Sequence, residues 1–260
     1  MARLAIISDI HGNLPALEQV LRDIERARAD AVLCLGDVVG YGPEPAECLE
    51  LVRRSCRVVI RGNHEDALAS DADLSNWNPV ACRGITYARE VLGQELTNYA
   101  TTLPRSFAVP GLIFGVHDSP IEGSLADSYL RDAKAAARAF GGVAEPVCLV
   151  GHTHVAGCFM TKGFDDDAPV AAAVRSFMPG TAARPGASTI ELSRDGRAIV
   201  NPGAVGQPRD GDPRASYAIL DAVNLTVEFR RVAYDITDAM KRFEWAGLCR
   251  TATERLAVGA

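Results

Sequence analysis

The stretch VCLVGHTHV, residues 147–155, joins an apolar run directly to a glycine and to two histidines two positions apart. The apolar part has the length and composition of a short strand buried on both faces, as in the parallel sheets of α/β proteins. The polar part places two imidazoles at the end of that strand. Because the chain of 260 residues contains five histidines in all, this concentration points to a site.

Other apolar runs end in the same way. They are LAII before Ser8-Asp9, AVLCL before Gly36-Asp37, RVVI before Arg61-Gly62-Asn63-His64, LIFGV before His117, and AIV before Asn201-Pro202-Gly203. Between the runs, apolar residues at helical spacing predict helices over 14–28, 44–55, 80–100 and 124–140. This alternation of strands and helices indicates a layered α/β fold.

We expect one domain over residues 1–260, since no linker, repeat or low-complexity tract interrupts the chain. Residues 155–200 are predicted to be a hairpin and loop region, because Asp195-Gly196 separates two β-like runs. The run Asp165-Asp166-Asp167 is interpreted as an exposed charged turn rather than a calcium site. Residues 235–260 are predicted to form a C-terminal amphipathic helix that packs on the sheet or on another subunit.

The composition is that of a globular protein, with 48% hydrophobic and 23% charged residues. A net charge of −6 argues against general nucleic-acid binding but not against a small phosphorylated ligand. The first apolar run is too short for a signal peptide, and none reaches the roughly 20 residues of a membrane helix. Seven cysteines without a C-x-x-C pair indicate reduced side chains, so we expect a cytoplasmic protein.

All five histidines lie at or just beyond the ends of apolar runs, beside other residues that bind metals. The candidate ligands are Asp9, His11, Asp37, Asn63, His117, His152 and His154. The carboxyl ends of strands in an open α/β sheet line one crevice, so these side chains are expected to converge. On extended backbone, the two members of each D-x-H or H-x-H pair would point the same way.

The ligand types and their number indicate two metal ions. Imidazole together with carboxylate suits manganese, iron, zinc or nickel better than calcium. Seven ligands exceed what one tetrahedral ion uses, and they fit two ions that share a bridging carboxylate.

The motifs DIHG, GDVVG, GNHE, His117 and GHTH resemble those of the calcineurin-like metallophosphoesterase superfamily. The stretch NPGAVGQPRDGDPRASYAILD, residues 201–221, is similar to the bacterial YfcE-type phosphodiesterase subgroup. The resemblance implies a four-layer αββα sandwich, with two mixed β-sheets flanked by helices and a dinuclear metal site at the strand carboxyl ends.

The resemblance also implies a role for each ligand. Asp9, His11 and His154 would hold one metal, and Asp37 would bridge to the other. Asn63, His117 and His152 would hold the second metal. His64 would be the catalytic residue near the phosphate rather than a ligand.

The function implied is a dinuclear-metal-dependent phosphoesterase that favours phosphodiesters. Two cations about 3.5–4 Å apart lower the pKa of a bridging water, and the resulting hydroxide attacks phosphorus in line. His64 would protonate or hydrogen-bond the leaving oxygen. The alternatives are a phosphomonoesterase or nucleotide phosphatase, and a catalytically silent binding scaffold. The expected partner is a phosphorylated small molecule or nucleotide, with no membrane contact; a homo-oligomer is left open.

The sequence departs from the family pattern at two places. Asp118 follows His117 where the family usually has glycine, and it adds a carboxylate to that wall. Gly40 and Tyr41 stand where the serine/threonine phosphatase branch has aspartate and arginine, which argues against phosphoprotein phosphatase activity.

Arg209 is a candidate for the phosphate contact because a guanidinium can grip phosphate through two hydrogen bonds. The competing interpretation pairs it with Asp210 or Asp212, and Arg214 in the same loop is the weaker candidate.

Asn13 and Tyr41 are further candidates for substrate contact. Asn13 either reaches the substrate or caps the helix that starts at Leu14, and the cap is favoured. Trp77 lies in a loop that either covers the site or packs its ring into the protein.

Overall fold

The structure is a computed structural model that describes residues 3–69, 73–75, 77–121, 129–161, 175–178 and 188–260. The described strands are β1 Arg3–Ile7, β2 Ala31–Cys34, β3 Val58–Val59, β4 Ser106–Val109, β5 Ile113–Val116, β6 Val147–Leu149, β7 Gly157–Met160, β8 Arg175–Phe177, β9 Ser188–Glu191, β10 Ala198–Asn201, β11 Ala215–Asp221 and β12 Thr226–Val232. The described α-helices are α1 Leu14–Ala27, α2 Pro45–Ser55, α3 Asn63–Asp66, α4 Pro79–Val91, α5 Gln94–Thr102, α6 Ala133–Ala139, α7 Ile236–Trp245 and α8 Arg250–Val258.

The strands form two mixed six-stranded sheets, as predicted. The first sheet has the order β3-β2-β1-β11-β12-β9, in which β1, β2 and β3 are parallel and the remaining pairs are antiparallel. The second has the order β4-β5-β6-β10-β7-β8, with β5, β6 and β10 parallel. All six apolar runs that indicated strands are strands in this structure.

Apolar side chains on both faces of each sheet build four layers. Ile6 of the first sheet and Val200 of the second belong to the core between the sheets. Ile7, the next residue along β1, points to the opposite face and packs with Leu17 of α1. On the outside of the second sheet, Ile199 packs with α6. The order is therefore helix, sheet, sheet, helix, which confirms the predicted sandwich.

The helices differ from the prediction in length. The predicted helix 80–100 is two helices, because Leu92 and Gly93 have extended backbone and α5 begins at Gln94. Within the predicted helix 124–140, the described residues 129–132 are not helical, and α6 begins at Ala133, where the Asp132 side chain accepts a hydrogen bond from Ala135 N. Residues 122–128 lie outside the described residues.

The predicted hairpin at Asp195-Gly196 is wrong. The strand before this turn, β9, pairs with β12 in the first sheet, whereas the strand after it, β10, pairs with β6 and β7 in the second. The turn therefore crosses from one sheet to the other. The charged run at 165–167 lies outside the described residues.

The C-terminal segment is two helices rather than one. Gly247 lies between α7 and α8 with a φ of 65°, a left-handed conformation that ends helices. Helix α7 packs on α1, and α8 packs on α7.

The seven cysteines are free, and Cys34, Cys48, Cys148 and Cys158 are buried. Within the described part of the chain, none of the helices is both long and apolar enough to span a membrane.

Candidate metal centre

The predicted ligands follow the strands whose carboxyl ends meet at one edge of the sandwich. Asp9 and His11 come after β1, and Asp37 comes after β2. In the second sheet His117 directly follows β5, and the GHTH segment follows β6. Asn63 and His64 begin α3, just after β3. Residues far apart in sequence are thereby brought together at the topological edge common to both sheets.

Left-handed backbone sets the direction of most of these side chains. Positive φ angles occur at Asp9 (54°), His11 (50°), Asp37 (51°), His152 (64°) and His154 (59°). Non-glycine residues rarely adopt this conformation, and it is concentrated at functional sites. The expectation of extended backbone within the D-x-H and H-x-H pairs is therefore wrong. Tight turns separate His152 from His154 and direct them to different clusters.

The first cluster contains Asp9, His11 and His154, all buried. His11 Nε2 lies 3.2 Å from His154 Nε2, and His154 Nε2 lies 3.3 Å from Asp9 Oδ1. In the described part of the chain, the buried Asp9 Oδ1 has no hydrogen-bond partner. Burial raises the pKa of Asp9 to about 6, because a carboxylate without water is destabilised.

The second cluster contains Asp37, His117 and His152. His117 Nε2 lies 3.1 Å from Asp37 Oδ2 and 4.0 Å from Asp9 Oδ1. His11 Nε2 of the first cluster is 3.8 Å from the same Asp37 oxygen, so Asp37 lies between the two clusters. Asn63 borders this region, and its Oδ1 is buried without a hydrogen-bond partner.

The outer nitrogens of three histidines are held by backbone carbonyls. His11 Nδ1 donates to Val39 O (3.0 Å), His117 Nδ1 to Leu35 O (2.8 Å) and His154 Nδ1 to Gln207 O (2.6 Å). A carbonyl oxygen only accepts, so Nδ1 carries a proton and Nε2 is the nitrogen that faces the cluster. This is the arrangement that orients histidine towards a metal.

The charge states of the buried carboxylates and imidazoles also favour the binding of a cation. Burial lowers the pKa of His11 and His154, which keeps both imidazoles neutral and ready to bind a metal. Burial acts the same way on His117, but Asp37 and Asp9 outweigh it and raise its pKa to about 10. Inward-facing lone pairs, buried carboxylates and unpartnered oxygens together fit divalent metal ions.

Glu65 supports the centre without facing it, a role that its place in the GNHE motif did not reveal. Its carboxylate is buried and accepts from the N–H groups of Asp37 (2.8 Å), Val38 (2.8 Å), Val39 (3.1 Å) and Gly62 (2.8 Å). Burial raises the pKa of Glu65 to about 7, while the amide donors oppose the rise. One side chain thereby fixes both the turn that carries Asp37 and the start of α3.

Asn201 supports the GHTH turn, and sequence analysis did not assign it this role. Its Nδ2 donates to Gly151 O (2.6 Å) and Thr153 Oγ1 (2.9 Å), and its Oδ1 accepts from Gly203 N (2.9 Å). The only signal in the sequence is that Asn201 ends an apolar run in front of Pro-Gly.

His64 differs from the three anchored histidines. Its Nε2 lies 4.0 Å from Asp37 Oδ2, so it groups with His11 and Asp37. Its buried Nδ1 has no hydrogen-bond partner among the residues that the structure describes. Burial lowers the pKa of His64 to about 4. A Cβ atom on Gly40 would stand 2.0 Å from His64 Nδ1, which leaves no room for the aspartate of the serine/threonine phosphatase branch.

A cavity of about 360 Å³ opens above the two clusters. Its described walls include Tyr41, Trp77, Asp118, Tyr129 and Arg209, with His64 and His152 below them. The rings of Trp77 and His64 are 5.0 Å apart, and those of Tyr129 and His152 are 4.2 Å apart. Trp77 also packs against the outer core of the first sheet, as the packing interpretation predicted.

Arg209 borders the cavity and does not form an ion pair with Asp210 or Asp212 of its own loop. Its Nη2 donates to Tyr41 Oη (3.3 Å) and Gln207 Oε1 (3.1 Å). Asp210 pairs with Arg231, and Asp212 pairs with Arg214. Asp210 and Asp212, the alternative partners proposed for Arg209, therefore form ion pairs with other arginines.

Asn13 has the cap position that the sequence favoured. Its Oδ1 accepts from Ala16 N (3.2 Å), and its Nδ2 donates to Gly206 O (2.9 Å) and Tyr234 Oη (3.3 Å). Its amide group is used in these contacts, and it is buried below the clusters. The predicted substrate contact of Asn13 has no support in this geometry.

Comparisons of the sequence and of the structure with known proteins agree on the family that this chain resembles. The sequence model of the family described as calcineurin-like phosphoesterase matches residues 2–156. An uncharacterised protein of Methanocaldococcus jannaschii, MJ0912, is 31% identical over 266 residues, which is 98% of each chain. The crystal structure of a metallophosphoesterase from Sphaerobacter thermophilus has 40% identity and a TM-score of 0.83, covering 100% of this chain and 99% of that one. The phosphodiesterase YfcE of Escherichia coli is 38% identical over 73 residues, 24% of this chain and 40% of its own.

Proposed function

Because the chain belongs to the calcineurin-like phosphoesterase family, we propose that it is a phosphodiesterase that uses two divalent metal ions. The observation that carries the proposal is the pair of ligand clusters on either side of Asp37, at the base of an open cavity. The substrate class is a phosphorylated small molecule or nucleotide, and the cytoplasm is the proposed compartment.

In this proposal each cluster holds one ion. Asp9, His11 and His154 bind the first, and Asn63, His117 and His152 bind the second. Asp37, whose Oδ2 is close to histidines of both clusters, is shared. Bound ions of this kind supply a hydroxide at neutral pH and neutralise phosphoryl charge. Their identity is set by geometry and availability rather than by ligand type alone.

The remaining residues of the cavity bind the phosphoryl group and the leaving oxygen of the substrate in this proposal. Arg209 is proposed to bind a phosphoryl oxygen, since a guanidinium matches phosphate geometry. His64, without a carbonyl to orient it as a ligand, is free to donate an N–H to the leaving oxygen. Tyr41 holds Arg209 through its hydroxyl and thereby sets the position of the phosphoryl contact.

The charge of the cavity favours a diester over a monoester. Among the described wall residues outside the two ligand clusters, the charged ones are Arg209 and Asp118. A phosphodiester carries one negative charge, whereas a monoester carries close to two at neutral pH. Asp118 would therefore repel the monoester more strongly.

The test compares bis-p-nitrophenyl phosphate with p-nitrophenyl phosphate, using chelator-treated protein with and without Mn²⁺. We expect Mn²⁺-dependent turnover with a higher kcat/KM for the diester. Asp37→Asn should abolish it, whereas Asp195→Asn, in an exposed turn, is the matched control. A higher kcat/KM for the monoester would instead support the phosphatase alternative. Turnover of neither ester by protein with two bound metals would favour the silent scaffold.

A further inference from the structure

A second cavity of about 370 Å³ adjoins the candidate site. It lies behind the GHTH turn, against strands β6, β7 and β10 of the second sheet. Its described walls are Leu130, Arg131, Val150, Thr153, Val155, Gly157, Phe159, Met178, Ile199, Asn201 and Arg209. This volume is within the range of small-molecule sites.

The two cavities meet at Arg209 and at the segment 129–131. Arg209 lines both of them. Tyr129 borders the cavity above the metal clusters, whereas the next two residues, Leu130 and Arg131, border the second one. Thr153 stands between His152 and His154, so the second cavity begins one residue from the ligands. A phosphoryl group on Arg209 would therefore have one of its substituents at the mouth of this cavity.

The chemistry of the second cavity selects an apolar group. Leu130, Phe159 and Ile199 supply buried aliphatic and aromatic surface, and Met178 adds a flexible, half-exposed thioether at the rim. Asn201 and Thr153, the polar side chains at its base, already form hydrogen bonds within the protein. Asn201 Nδ2 donates to Gly151 O and to Thr153 Oγ1. Hydrogen bonding to a sugar or base edge would compete with these contacts.

The position of His64 decides which substituent enters. His64 packs with Tyr41 and Trp77, and these residues border the first cavity. A leaving oxygen at His64 therefore lies on the side of Tyr41 and Trp77. The substituent retained by the phosphate then points past Arg209 towards Val155 and Ile199.

We propose that this second cavity binds an alkyl or aryl group on the retained ester oxygen of the substrate, so that the enzyme prefers diesters with one apolar alcohol. The proposal rests on the proposed function. It narrows the substrate class from phosphodiesters in general to those with a compact hydrophobic arm.

The kinetic test compares phenyl p-nitrophenyl phosphate with methyl p-nitrophenyl phosphate on the Mn²⁺-loaded full chain. Both release p-nitrophenolate, so the comparison isolates the retained group. We expect kcat/KM to favour the phenyl ester by about tenfold or more. Val155→Phe, which fills the cavity, should bring the ratio close to one, while the exposed Val223→Phe should leave it unchanged.

A binding test separates failure of this proposal from failure of the proposed function. Calorimetric titration with benzylphosphonate and methylphosphonate needs no turnover. We expect the benzyl compound to bind about tenfold more tightly, and Val155→Phe or Met178→Ala to reduce that advantage. Turnover of both diesters without a phenyl preference would overturn the cavity proposal alone. Absence of diester turnover with an intact benzyl preference would overturn the proposed reaction and keep the cavity as a ligand site.

Discussion

Replacing Glu65 by glutamine tests how the metal-binding turns are held. Each carboxylate oxygen accepts two backbone N–H bonds: Oε1 from Val38 and Val39, and Oε2 from Asp37 and Gly62. Glutamine has nearly the same shape, but one oxygen becomes an NH₂ group that faces two N–H donors. Each buried N–H left without an acceptor costs about 1–3 kcal/mol, so Glu65→Gln should lower the free energy of unfolding by about 2–6 kcal/mol.

Urea denaturation of chelator-treated protein measures this loss, with the exposed Glu244→Gln as the matched control. Because the turns that carry Asp37 and Asn63 depend on Glu65, affinity for Mn²⁺ should also fall, by about 10–100-fold. A change in unfolding free energy below about 1 kcal/mol would refute the assignment of Glu65 as the support of both turns.

Three further predictions concern the cavity and the loop beside it. His64→Ala should keep both metals and lower kcat by about 10²–10⁴-fold, measured with metal content alongside turnover; loss of metal would make His64 a ligand instead. Arg209→Ala should lower kcat/KM for the diester by about tenfold or more. Arg214→Ala is the control, since Arg214 pairs with Asp212, and it should leave kcat/KM unchanged. Equal effects of the two substitutions would contradict a phosphate contact of Arg209. Although burial raises the pKa of Asp212, its hydrogen bonds with Arg214 outweigh this and lower it. Its stabilisation is therefore present above about pH 4 and lost as the pH falls through the lowered pKa. Asp212→Asn should destabilise the protein at pH 7, and this loss should shrink as the pH is lowered below about 4. A loss that stays constant over that range would contradict the assignment.

The six strands that correspond to apolar runs were predictable because each run is recognisable from its own residues. Ile6 and Ile7 of β1 face opposite layers, and a run buried on both faces shows this in its composition. The cap at Asn13 was predictable for the same reason, since it needs only the residues of the first helical turn. For these elements the residues of the segment itself were sufficient.

Long-range partners and backbone strain were not predictable. The turn at Asp195-Gly196 has the composition of a hairpin, but β9 and β10 find their partners in different sheets. The left-handed backbone of His152 and His154 is imposed by the surrounding structure, since histidine itself does not favour it. The choice between Arg209 and Arg214 depended on which acidic side chains the fold places beside them.

Metal stoichiometry shows whether two metal ions bind on either side of Asp37. Chelator-treated protein would be titrated with Mn²⁺ in a calorimeter, and the metal content of the dialysed complex measured by mass spectrometry. We expect two equivalents per chain, with both sites weakened in Asp37→Asn and neither in Asp195→Asn. Binding of a single equivalent, or two equivalents with unchanged affinity in Asp37→Asn, would contradict it.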